Sequence, residues 1–173
     1  MTTARLNPRE LAPDGYAAVA GVERYLQNCG LEQSLIELVK LRASQLNGCA
    51  FCLDMHSRDA RRHGETEQRL YLLSAWREAP GYSARERAAL GWTDCLTLVA
   101  SRGAPDAEYD ALAAQFTPAE IVNLTALIGM INLWNRLAIG MRMQPAVAQP
   151  TSPHAHEAHA HHAHEAHARE VAC

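Results

Sequence analysis

The sequence predicts an all-α fold, and three observations predict it. Alternating runs of β-branched residues are missing and aromatic content is only 6%, so little of the chain reads as strand. Apolar residues recur instead at helical spacing from near the N-terminus to about residue 143. Each periodic stretch is also bracketed by a recognisable start or stop signal.

Taken in order, Pro8 to Asn28 sets Leu11, Ala17, Val19, Val22 and Leu26 in an amphipathic pattern that ends at Gly30. Leu35, Ile36, Leu38, Val39, Leu41 and Leu46 form a more deeply buried second helix, stopped by Asn47-Gly48. A third runs from near Cys49 to His63, with Gly64 as its terminator and His63 placed to favour the helix dipole. Thr66-Glu67 opens a fourth, with Leu70, Leu72, Leu73 and Trp76 as its apolar set, and Pro80-Gly81 breaks it. Ser83 with Glu86 is a capping box for a fifth helix reaching about Ser101. Pro105 to Phe116 is a short sixth, and Thr117-Pro118 with Glu120 opens the last, which reaches about Met143.

Composition narrows the function classes. The chain has 173 residues, enough for one sizeable core, and a formal net charge of -3 with no run of Lys or Arg. Neither nucleic acid nor an anionic membrane is expected as a partner. The N-terminus lacks the apolar stretch of a secretory signal. The most apolar segment, Ile121 to Met141, carries Asn123, Asn132, Asn135 and Arg136, which suits a buried helix and not a membrane span. Five cysteines, an odd number, argue against a secreted disulfide scaffold and for a cytoplasmic protein with one reactive pair. Cys29 and Cys95 read as packed, inert thiols.

After Pro145 the composition changes. A linker-like Gln149-Pro150-Thr151-Ser152-Pro153 leads into a segment holding seven of the nine histidines and no apolar set. The domain reading is therefore a helical domain over 5–145 and a disordered His-rich tail over 146–173.

Chemistry concentrates between Glu37 and Gly64, in ELVKLRASQLNGCAFCLDMHSRDARRHG. Cys49 and Cys52 are three apart, and Cys52 and His56 four apart, so on one helix they share a stripe. Cys49 follows the helix stop at Asn47-Gly48 and falls in or beside the first turn of the next helix. Free N–H groups and the helix dipole stabilise a thiolate there. His56 sits one turn on as a proton carrier. If the turn folds the two helices antiparallel, Glu37 approaches the sulfurs from the facing helix as a second proton carrier. The same four side chains could instead hold zinc, although structural zinc usually draws its ligands from two loop knuckles. The tail histidines could chelate zinc, nickel or copper.

Glu37, eleven residues, Cys49, two residues, Cys52, three residues, His56 resembles the signature of the AhpD-like alkylhydroperoxidases, in the carboxymuconolactone decarboxylase superfamily. The segments NGCAFCLDMH, RDARRHGETEQRLYLL and NLWNRLAI are similar to the branch labelled peroxidase-related. The resemblance implies an all-α fold, a homo-oligomer (trimer or hexamer) and no bound metal or cofactor. It implies a thiol-dependent hydroperoxidase: Cys52 attacks the peroxide, Cys49 closes the disulfide, Glu37 and His56 relay protons, and a dithiol donor resets the pair. The best-studied members carry a further histidine directly before the second cysteine; here Phe51 stands at that position. Two other readings stand beside this one: a metal-binding module for zinc or nickel, and a carboxymuconolactone decarboxylase-like lyase, which does not depend on a cysteine pair.

Overall fold

The computed structural model describes residues 3–147; of the segment assigned as the tail, 148–173 lies outside the described residues. Within them every regular element is helical, with no strand. The helices are α1 (Pro8–Leu11), α2 (Pro13–Leu26), α3 (Gln33–Asn47), α4 (Ala50–Arg62), α5 (Glu67–Leu72), α6 (Ala84–Thr97), α7 (Val99–Arg102), α8 (Asp106–Ala113) and α9 (Pro118–Met141). A 3-10 turn, Leu73–Ala75, follows α5.

The structure departs from the expected elements in three places. The first helix is split, because Pro13 cannot donate to the preceding turn and the backbone leaves helical geometry at Ala12. The fourth helix tightens into the 3-10 turn after only six residues. The fifth is interrupted at Leu98, so the stretch to Ser101 becomes the separate short α7. Both expected capping boxes are present, Ser83 with Glu86 and Thr117 with Glu120.

The middle of α3 is the axis of the fold, and Leu35 to Leu41 are all buried. One flank of α3 (Leu35, Ile36, Val39) joins Ala89 and Trp92 of α6, Leu112 of α8 and Leu124, Leu127 and Ile128 of α9 in the larger core. The other flank (Leu38, Leu41) packs on Ala60 of α4, Leu73, Trp76, Tyr82 and Leu90. A helix enclosed on both flanks has no solvated face for its charged residues. Glu37 and Lys40 are therefore 4% and 1% exposed, and each needs a partner to be tolerated there. Lys40 is paired with Glu23 of α2, whose other carboxylate oxygen accepts from Trp134 Nε1 at 3.2 Å. Arg42 pairs with buried Asp94 at 2.6 Å. Neither cation is thus spent on Glu37.

Gly48 turns α3 into α4. It takes the left-handed conformation (φ 67°, ψ 34°), which glycine adopts without a Cβ penalty. The Cys49 N–H returns to the Ser44 carbonyl at 3.0 Å, closing the end of α3. The chain reverses, α4 lies along α3, and the start of α4 comes up against α9.

Candidate active site

The reversal at Gly48 makes Cys49 the N-cap residue of α4, in extended conformation, and puts Cys52 at the third helical position. Both thiols are free and buried, and they pack with Ala138 of α9 beneath Phe51 and Met143. Met143 is carried there by the end of α9, where Arg142 adopts a left-handed conformation and the Met143 N–H bonds back to the Ala138 carbonyl at 2.9 Å.

His56, one turn beyond Cys52, faces α3, and its Nδ1 lies 2.8 Å from Glu37 Oε2. Both side chains are more than nine-tenths buried. The expectation that Glu37 would meet the sulfur helix from the facing helix is thereby met. The pair shares a proton in a water-poor setting, where a charge-assisted bond is stronger than in solvent.

The two sulfurs have opposite acidities. The Cys49 thiol is lowered from an ordinary 9.0 to about 6. The Cys52 thiol hydrogen-bonded to it is the largest cause; the Cys52 backbone amide, Asn135 and the charge of His56 add to it, while burial opposes. Cys52 is pushed well up, first by that same bond to Cys49, then by burial and by the Cys49 charge. The pair thus holds one negative charge and one proton, with the charge on Cys49 at rest.

Asn135 belongs to this site as much as the sulfurs do. Fully buried on α9, it donates to Ser44 Oγ at 3.0 Å and accepts from Asn47 Nδ2 at 2.8 Å, tying both sides of the Gly48 turn to α9. Asn47 also donates to Asn132 Oδ1 at 3.0 Å. The sequence places Asn132 and Asn135 on a buried helix; the effect of Asn135 on the thiols is not legible in it.

A cleft of about 560 Å³ opens over the site. Cys52, His56 and Glu37 lie on its floor, Phe51, Met55, Trp134, Leu137 and Met143 give apolar walls, and Arg9, Tyr16 and Glu23 come from the N-terminal helices. Cys49 does not line it. Phe51 is half-buried at the cleft wall, beside both sulfurs.

The fourfold ligand set weighed for zinc is not assembled. Among the described residues, the ionisable side chains whose ligating atoms all lie within 4.8 Å of one another are Glu37, His56 and Asp59, with neither cysteine among them. His63 ends α4, as expected. Cys29 is half-buried and Cys95 buried, its thiol raised first by burial and then by the charge of Glu108. No helix among the described residues is long and apolar enough to cross a membrane.

The all-α domain has the AhpD-like fold. The chain belongs to the carboxymuconolactone decarboxylase family, whose sequence profile matches residues 11–94. It is 42% identical over 137 residues to the uncharacterized protein YdfG of Bacillus subtilis, covering 79% of this chain and 93% of that one. It is 48% identical to a crystal structure from Agrobacterium tumefaciens, of a protein of unknown function and candidate antioxidant defence protein AhpD. The TM-score is 0.82, over 84% of this chain and all of that one. A shorter match, 42% over 43 residues, joins it to the alkyl hydroperoxide reductase AhpD of Hyphomonas neptunium, covering 25% of this chain and 24% of that one. Membership supports a peroxidase-related role for the chain.

Proposed function

We propose that this protein is a cytoplasmic, homo-oligomeric thiol peroxidase that reduces hydroperoxides through Cys49 and Cys52 and is reset by a dithiol donor. The observation that carries the reading is the division between the two sulfurs. Cys49 holds the charge but is walled off, whereas Cys52 reaches the cleft and sits one turn from the Glu37–His56 pair.

Acidity and access thus favour different sulfurs, and access decides. A thiolate reacts only with a peroxide it can touch, and the proton that must leave Cys52 has only to cross to Cys49. The less acidic sulfur is also the better nucleophile once ionised. Cys52 attacks the terminal peroxide oxygen: the S–O bond forms, the O–O bond breaks, and the departing alkoxide takes a proton from His56, backed by Glu37. Cys49 then attacks the Cys52 sulfenic acid; the S–S bond forms and the sulfenic oxygen leaves as water. The thiolate–thiol pair plus ROOH plus one proton give the disulfide, ROH and water.

The test is stopped-flow oxidation of the reduced protein by several hydroperoxides, with mass spectrometry of the Cys49–Cys52 peptide. The expected results are an intrachain Cys49–Cys52 disulfide, no peroxide consumption by Cys52→Ser, and a dimedone adduct on Cys52 in Cys49→Ser. A dimedone adduct on Cys49 in Cys52→Ser would reverse the two roles. Oxidation that joins Cys49 chiefly to Cys29 or Cys95 would end the reading.

A further inference from the structure

The proton balance above needs a group that the relay does not yet contain. Each oxidation takes up one proton, and each reduction of the disulfide by a dithiol returns one. Protons must therefore cross between solvent and a Glu–His pair whose side chains are 6% and 8% exposed. A substrate that fills the apolar cleft also displaces the water that could otherwise serve this exchange.

We propose that Asp59 is the solvent-side member of the relay and carries this proton to and from Glu37 and His56. The assignment deepens the peroxidase reading and rests on it. Asp59 is on α4, one turn past His56, on the stripe that faces the cleft. Its carboxylate lies with the Glu37 carboxylate and the His56 ring within 4.8 Å, a span that one hydrogen-bonded water closes. Exposure rises stepwise along the series: Cys52 is 2% exposed, the side chain of Asp59 31%, and that of Arg62, the cation it meets, 74%.

The charged groups around Asp59 leave it free to exchange. Arg62 Nη1 donates to its Oδ1 at 2.7 Å, a pair between two side chains that solvent reaches, which is weak and easily opened. His63, at the end of the same helix, bonds the Asp59 backbone carbonyl and not its carboxylate. From α3 it faces Glu37, and across the cleft Arg9 of α1 and Glu23 of α2, the latter held by Lys40. Glu37 and His56 bond each other, so Asp59 is the carboxylate of the group with an open path to water. Asp59 is a positioning and proton-transfer residue that acts through Glu37 and His56.

The test is single-turnover oxidation of the reduced wild type and Asp59→Asn by cumene hydroperoxide, in dilute buffer and again with added imidazole. Asp59→Asn should be slower by about tenfold or more, within the usual range for lost proton transfer. Imidazole should restore much of the rate in the variant and do little for wild type. Asp59→Glu should retain most of the rate. A wild-type rate in Asp59→Asn would overturn the proposal, and so would a slow rate that no buffer rescues, because that is a structural defect. Oxidised glutathione serves as a second oxidant, since its reaction with the pair also takes up one proton. If cumene hydroperoxide fails to oxidise the wild type, the peroxidase reading falls. The same buffer rescue, read with oxidised glutathione, then supports or overturns the role of Asp59 alone.

Discussion

Replacing Cys52 by alanine should remove most of the acidity of Cys49, because the Cys52 thiol is the largest single cause of it. A fall from 9.0 to about 6 is a thousandfold in acidity, or about 4 kcal/mol of preference for the anion. At pH 7 that leaves about nine-tenths of Cys49 as thiolate, against about one-hundredth for an ordinary thiol. With the donor gone, the Cys52 amide, Asn135 and His56 remain as stabilisers and burial opposes them, so Cys49 in Cys52→Ala should titrate well above neutrality. Cys52→Ser retains a hydroxyl donor and should hold the titration low. Thiolate absorbance near 240 nm against pH, with Cys49→Ser as the background, reads all three directly. Stability follows with a defined sign. A thiol whose folded value is depressed contributes stability that is fully present above its unfolded value and lost as pH falls through the folded one. Reduced wild type should therefore gain stability from pH 6 to 9, by at most about 4 kcal/mol, and Cys52→Ala should lose most of that slope. A Cys52→Ala protein whose Cys49 still titrates near pH 6 would refute the reasoning and assign the acidity to the helix end and its polar neighbours.

Phe51→His should speed sulfur oxidation and move the pH at which the rate rises downward, since Phe51 is half-buried at the cleft wall and an imidazole there can carry a proton; pH–rate profiles of the folded variant check this, and an unchanged profile means Glu37 and His56 already supply the relay. The purified protein should show by light scattering a mass well above its 19.0 kDa monomer, because α9 leaves Val122, Leu133 and Ile139 exposed on an otherwise apolar helix; a monomer at micromolar concentration would refute it.

The helical class, the capping boxes and the Gly48 turn were legible because each rests on a local pattern. Neighbouring residues fix a capping box or a left-handed glycine whatever the rest of the fold does. The sulfur–imidazole stripe was legible for the same reason, since its spacing lies within one helix. Glu37 was reachable only by assuming that the turn folds α4 back onto α3. What was not legible depends on contacts far apart in the sequence. Lys40 finds Glu23 seventeen residues upstream, Asn135 finds Ser44 ninety-one residues away, and the cleft takes its walls from α1, α2, α4 and α9. Asp59 does not stand out in the sequence because, in a run with Arg58, Arg61 and Arg62, an aspartate reads as one more solvated charge. Its spacing continues the stripe from Cys52 through His56, but only the fold reveals that the stripe there borders the cleft and approaches Glu37.

The burial of Glu37 and His56 exposes a conflict between stability and function that can be measured. A carboxylate at position 37 interrupts an otherwise apolar stretch of α3, and the imidazole it meets is equally enclosed. Two polar groups taken out of water regain through one 2.8 Å bond only part of what desolvation costs them. Removing either alone strands the other, and such losses run to about 3–5 kcal/mol when the stranded group is charged. Removing both in favour of packed aliphatic side chains is often neutral or stabilising, by about 1–4 kcal/mol. The single variants Glu37→Leu and His56→Leu should each be destabilised, and the double variant should recover at least to wild type while losing peroxide consumption. Denaturant melts of the four proteins complete the cycle. If the double variant stays as unstable as either single, the pair contributes to folding in its own right, and its burial needs no functional explanation. If stability returns while activity does not, the core of α3 carries these two groups at a cost to the fold, and the proton they share is the reason they persist there.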